Sequence, residues 1–285
     1  MFNRGTVSTR TFIEWPYELR SDVLVTEAPV AETHPEVAAL LRRKRFPFDS
    51  DECQQERHAS LTATNFNSIV HKSGVRGENK YKSLKKLLKE KRAVKRTMNT
   101  NPAIEHGIYY EAEALRVYTL VTGNALVEEE IGFVKCDLPG FGFIGATPDA
   151  VCKYLPVLVE VKCPFWKKNI THSVPDIYWP QLMIQCLVTS LNTVHFVQYV
   201  PPSLTRSALI DIVEVHFDPE WWAAAAPLAL KAHEELLAGP PPPTPKKTTR
   251  RPSKRGSVKK RKREKKPTAS FITEKRRKNN ICNFK

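Results

Sequence analysis

Gly239 and the four prolines after it, Pro240–Pro243, set the outer limit of what this chain can fold. Proline has no N–H and a fixed φ, so neither a helix nor an inner strand runs through them. Beyond the prolines the sequence is basic, contains Ser, Thr and Pro, and is almost free of apolar residues until Phe271. Such a segment cannot bury enough surface to offset chain entropy. Residues 239–285 therefore read as a Pro-rich linker and a disordered basic tail. The same boundary divides the charge. The chain carries +15, but residues 240–285 hold 18 Lys/Arg against two Glu, which leaves the remainder at −1. Within that near-neutral part, residues 71–96 carry 11 Lys/Arg against Glu78 and Glu90. Clustered cations neutralise phosphates; they are also what a solvated helix face looks like.

Several classes drop out. No apolar run approaches the roughly 18 residues of a membrane span, so no membrane partner is expected. Arg4 and Arg10 are not followed by an apolar signal core, which argues against secretion, and the Ser/Thr/Arg content up to Glu14 is only faintly like a mitochondrial leader. The six cysteines show no C-x-x-C spacing, so neither a disulfide framework nor a structural zinc site is expected.

Between the ends, the pattern predicts a mixed α/β domain over 53–238, a mixed central sheet flanked by helices. Residues 1–52, broken by Pro16, Pro29, Pro35 and Pro47, form an N-terminal extension with no assignable role. A helix is expected to start in Leu61–Val70, capped by Thr62 or Thr64, and a basic one in 78–97. Asn101-Pro102 opens a further helix that Gly123 closes, with Ile104, Ile108, Ala112, Leu115 and Thr119 at helical spacing. Residues 126–134 suit a strand. Phe141–Ile144 and Val151–Tyr154 read as a hairpin that leads into a strand at Val157–Lys162. A helix over 177–191, strands at Val194–Val200 and Asp211–Phe217, and a helix at Pro219–Ala238 complete the domain.

Glu160 and Lys162 lie two apart on the Val157–Lys162 strand and so share one face. Asp149 precedes the neighbouring strand, and a hairpin brings it alongside Glu160. Two carboxylates and a lysine suit one hard cation and one attacking water, as phosphodiester hydrolysis requires. Taken alone, the E-x-K triplet fits an exposed strand face as well.

The chain resembles the PD-(D/E)XK nucleases, and more closely the YqaJ/lambda-exonuclease family of viral recombinases. The likeness runs through Arg57…Leu61-Thr62-Ala63-Thr64, Gly107-Ile108-Tyr109-Tyr110-Glu111, Gly145-Ala146-Thr147-Pro148-Asp149-Ala150, Glu160-Val161-Lys162-Cys163-Pro164 and Tyr178-Trp179-Pro180-Gln181. It implies a restriction-endonuclease-like fold with Asp149, Glu160, Lys162 and Gln181 as the catalytic set. Mg²⁺, with Mn²⁺ as a substitute, is then held by Glu111, Asp149, Glu160 and the Val161 carbonyl. Arg57, Thr62 and Thr64 would take the 5′-terminal phosphate, with Tyr178, Lys85 and Lys86 also on DNA. Gln185, one turn after Gln181, shares its face; the family's second glutamine usually stands where this chain has Met183. The implied partners are double-stranded DNA with free ends, a single-strand annealing protein and a homo-oligomer, a trimer by resemblance.

In the tail, Lys259-Lys260-Arg261-Lys262-Arg263 and Lys265-Lys266 suit nuclear localisation or nonspecific DNA attachment. The expected activity is exonucleolytic, from the 5′ end of linear duplex, in DNA recombination, replication or repair. The alternatives are an endonuclease or branch-resolving enzyme of the same superfamily, and a noncatalytic DNA-binding protein.

Overall fold

The computed structural model describes residues 32–77, 82–93, 101–165 and 170–240, and the backbone of 7–15. All lie in the first of the two units into which the chain divides, Met1–Pro241. The basic tail, with Lys259–Lys266, lies outside the described residues.

The mixed α/β architecture is present, and its strands fall into two sheets. The larger has the order β1-β9-β8-β7-β6, formed by β1 (Val7–Trp15), β9 (Ala208–His216), β8 (Thr193–Val200), β7 (Val157–Lys162) and β6 (Ala150–Val151). The smaller has the order β2-β4-β5-β3, from β2 (Arg45–Phe46), β4 (Phe133–Lys135), β5 (Ile144–Ala146) and β3 (Leu61–Thr62). Only Thr147-Pro148-Asp149 separates β5 from β6, so this tripeptide carries the chain from one sheet to the other. Pro148 has no N–H to give to a ladder, which suits a position where one sheet ends.

The strands β7 and β8 are parallel, with Glu160 opposite Phe196. A parallel pair needs a crossover, and α6 (Trp179–Thr189) supplies it. This helix is buried all round: of its residues only Leu187 is not buried. Leu182, Met183, Ile184 and Val188 are all fully enclosed. Each aliphatic side chain of this kind contributes about 1.5–3 kcal/mol when removed from water. The helix is thereby a rigid platform under the junction of the sheets.

The remaining helices are α1 (Pro35–Arg42), α2 (Asp51–Ala59), α3 (Phe66–Ile69), α4 (Leu84–Lys91), α5 (Pro102–Thr122) and α7 (Pro219–Leu237). As anticipated, the Asn101 side chain caps α5 by accepting from the Ala103 and Ile104 N–H groups, and Gly123 ends it at φ 71°.

Three expectations need correction. Leu61–Val70 is not one helix: β3 and a 3₁₀ turn precede α3, and Thr62 caps that turn in a reciprocal pair with Asn65. Phe141–Ile144 does not pair with Val151–Tyr154; β5 pairs with β3 and β4, while β6 pairs with β7. Finally, α5 buries Ala114, Val117 and Tyr118, whereas Ile104 and Ile108 are exposed. Helical periodicity says which residues share a face, not whether a neighbour covers it. Residues 1–52 are also partly placed, since they supply β1, α1 and β2.

Candidate active site

Glu160 is 1% exposed, so it is not part of a solvated strand face. A carboxylate at that depth costs several kcal/mol unless it is paired. Its partners come from its own strand and from α6. Gln181 Nε2 donates to Oε1 at 2.5 Å and Gln185 Nε2 donates to Oε2 at 2.6 Å. Lys162 Nζ also donates to Oε1. Residues 160 and 162 project together because strand side chains alternate. Gln181 and Gln185 project together because they stand one helical turn apart.

Asp149 reaches the same place from the sheet junction. Its Oδ2 accepts the Val161 N–H at 2.7 Å, which ties the end of the tripeptide to β7. A residue's N–H and C=O leave a strand on the same edge, so the Val161 carbonyl emerges on the Asp149 side. Burial, together with the nearby charge of Glu160, pushes the Asp149 carboxyl well above the usual aspartate range despite Lys162. Glu111, on α5, is raised in the same way, by burial and then by Glu160, with Lys162 opposing. Asp149 and Glu111 thus both sense Glu160 and the Lys162 ammonium group. For Lys162, burial acts to lower the pKa, but Glu160 and Asp149 outweigh it and the net shift is upward. Lys162 is therefore cationic at neutral pH.

This donor set is all oxygen, carries excess negative charge and is partly desolvated, and a hard divalent cation fits it. Among the described residues, no three His, Cys, Asp or Glu side chains are gathered tightly enough to share one ion with the side chains as they stand. Magnesium does not require that. It keeps several waters and needs only one or two carboxylates, which Asp149 and Glu160 could provide.

Cys163 directly follows Lys162, but burial, reinforced by Glu111 and Asp149, pushes its thiol up to about 12. It is no nucleophile at neutral pH. Tyr178 lines the site: its ring lies 5.3 Å from Lys162 Nζ and 5.5 Å from the Phe196 ring.

Arg57, at the end of α2, enters from the smaller sheet. Its Nη1 donates to Thr147 Oγ1 at 2.6 Å, and its guanidinium lies over Phe48 and Phe133 at 5.4 and 5.9 Å. Thr62 and Thr64 pair through their hydroxyls at 3.1 Å, Thr62 buried and Thr64 exposed. Lys85 and Lys86 are exposed on α4, behind the buried Leu87 and Leu88.

Sequence reasoning gave no role to Thr147 and counted Lys91 only among the clustered cations of residues 71–96. Lys91 Nζ donates to the Arg57 and Ser60 carbonyls at 2.7 and 2.6 Å, bracing the end of α2. No spacing signal links positions so far apart.

Residues 52–192 match the model of the YqaJ-like viral recombinase domain. This segment is a YqaJ-like viral recombinase domain. Every carboxylate, lysine, glutamine and arginine of the cluster lies inside it. The alkaline exonuclease LHK-Exo from Laribacter hongkongensis superposes with a TM-score of 0.53 at 22% identity, over 66% of this chain and 93% of that one. The same enzyme in complex with dAMP gives 0.54 at 21% identity over the same shares. At these identities the likeness is one of fold. No curated protein sequence matches the chain. The YqaJ-like domain therefore accounts for the junction between the sheets, for α6 and for the buried Glu160 together.

Proposed function

We propose that this protein is a Mg²⁺-dependent exonuclease that hydrolyses linear double-stranded DNA from the 5′ end. The YqaJ-like family acts on DNA, and its nucleases use a divalent metal. The observation that carries the end-directed reading is the bond from Arg57 to Thr147, two residues before Asp149. It brings the Arg57 guanidinium to the tripeptide that ends at Asp149, and a planar guanidinium suits bidentate phosphate contact.

In this reading Asp149, Glu160 and the Val161 carbonyl hold the ion, with Glu111 as a further carboxylate. A bound divalent ion lowers the pKa of a water and neutralises charge on the phosphate. Lys162 donates to the scissile phosphate or to the attacking water. Gln181 holds Glu160 and reaches toward the same phosphate. Arg57, with Thr62 and Thr64, takes the terminal phosphate. The exposed lysines of α4 track the duplex backbone without reading sequence.

The deciding assay compares linear duplex with covalently closed circles in Mg²⁺. Loss of the linear form with survival of the circles is expected. Comparable cutting of both would make the protein an endonuclease instead.

A further inference from the structure

Gln185 occupies an odd position for a core residue. It is 1% exposed on a helix buried all round, and its Oε1 has no hydrogen-bond partner among the described residues. An unsatisfied buried acceptor disfavours folding, so an apolar residue would serve the core better. What the amide adds is its donor end. One Nε2 proton goes to Glu160 Oε2 at 2.6 Å. The other faces the Thr147 carbonyl at 3.5 Å, the outer limit of a hydrogen bond. Thr147 is also the residue whose hydroxyl accepts from Arg57 at 2.6 Å. A continuous chain of contacts therefore runs from Arg57 through Thr147 and Gln185 to Glu160.

We propose that Gln185 is a positioning residue that couples occupancy of the Arg57 pocket to the setting of the Glu160 carboxylate. The proposal rests on the exonuclease reading above. A phosphate that engages Arg57 acts on Thr147. Thr147 in turn shares the Gln185 amide with Glu160, and its long contact is the link with room to tighten. Gln181 is placed differently: its amide bonds the Glu160 oxygen that also takes Lys162, whereas Gln185 bonds the other one. A terminal phosphate then raises turnover as well as affinity.

The test uses the full-length chain with duplexes that carry either a 5′-phosphate or a 5′-hydroxyl. Two quantities are read: the kcat ratio of the two ends in Mg²⁺, and the ratio of their dissociation constants in metal-free buffer. Wild type should favour the phosphate in both. Gln185→Met, of similar volume, should keep the binding preference and bring the kcat ratio close to one. A purely structural role would slow both ends equally and leave the kcat ratio unchanged, and that result overturns the proposal. Thr147→Val removes the hydroxyl but keeps the carbonyl, and it decides the matter if Gln185→Met does not fold. A reduced kcat ratio in it supports the relay; an unreduced one sinks it. Wild type that is inert on linear duplex removes the exonuclease reading and the relay with it. An active wild type with an unchanged ratio in the variants removes the relay alone.

Discussion

Arg57 Nη1 and Thr147 Oγ1 meet at 2.6 Å although ninety positions separate them in sequence. The contact joins α2 to the tripeptide that links the two sheets, and on the proposed reading a terminal phosphate sits at this end of it. Arg57→Ala should erase the preference for a 5′-phosphate over a 5′-hydroxyl end. Arg57→Lys keeps the charge but loses the planar fork, so it should restore only part of it. Relative rates on the two ends measure both. An unaltered preference in Arg57→Ala would show that the phosphate binds elsewhere.

Asp149 and Glu111 give a stability prediction with a definite sign. Both carboxyls are raised, first by burial and then by neighbouring carboxylates. A group whose folded pKa exceeds its unfolded value binds more protons when folded. Its contribution to stability is complete below the unfolded pKa and is lost as pH rises through the folded one. At neutral pH the metal-free site therefore opposes folding. Asp149→Asn keeps an oxygen to accept the Val161 N–H and removes the charge, so it should melt higher than wild type without metal. Wild type should gain stability on adding Mg²⁺, up to about 2.7 kcal/mol at a hundredfold excess over Kd. The variant should gain much less. Thermal melts across Mg²⁺ concentration, with EDTA as the reference, decide it.

Lys162 is held cationic by Glu160 and Asp149 against the effect of its own burial. On the proposed reading it serves as a donor and not as a base. Lys162→Met should lower kcat by about 10²–10³-fold, the usual effect of removing one transition-state donor. KM should change little, because the loss falls on the transition state. The low-pH limb of the rate profile should keep its position. A limb that moves or disappears in the variant would mean that the lysine titrates during turnover.

The meeting of Glu160 with Lys162 and of Gln181 with Gln185 was legible in the sequence, because strand alternation ties the first pair and a helical turn ties the second. Those periodicities are local and survive any fold. The contacts of Thr147 and Lys91 were not legible, since each depends on two elements meeting that no periodicity relates. The division into two sheets was hidden for another reason. Strands of two or three residues, such as β3, β5 and β6, are too short to show alternation. The exposure of Ile104 and Ile108 depends on what lies beside α5, which its own sequence does not encode.

The solvent face of α4 is the part expected to follow duplex DNA. Lys85→Ala together with Lys86→Ala should weaken binding alike for phosphate and hydroxyl ends. Each lysine–phosphate pair removed should flatten the slope of log K against log salt by about 0.9, so the double variant should flatten it by about 1.8. Binding isotherms at several salt concentrations read it directly. An unchanged slope would leave these lysines as an ordinary solvated face.

Gly145 lies in β5, two residues before Thr147, and a side chain there has no room. An added Cβ would run into Phe133 Cζ and come within 2.6 Å of Cε2. Phe133 is fully buried, and its ring also lies 5.9 Å from the Arg57 guanidinium. The bare backbone at Gly145 is what lets that ring sit between β5 and Arg57. Gly145→Ala must therefore move the ring or the strand, and overpacking of this kind costs about 1–3 kcal/mol. The variant should melt lower than wild type. It should also lose part of the 5′-phosphate preference, because the ring that moves is the one beneath Arg57. Adding Phe133→Leu to Gly145→Ala should recover much of the lost melting temperature by clearing the clash. It should not recover the full end preference, since of the two rings under the guanidinium only Phe48 then remains. A double variant that regains both would place Arg57 outside the reach of Phe133 and leave Gly145 with a packing role alone.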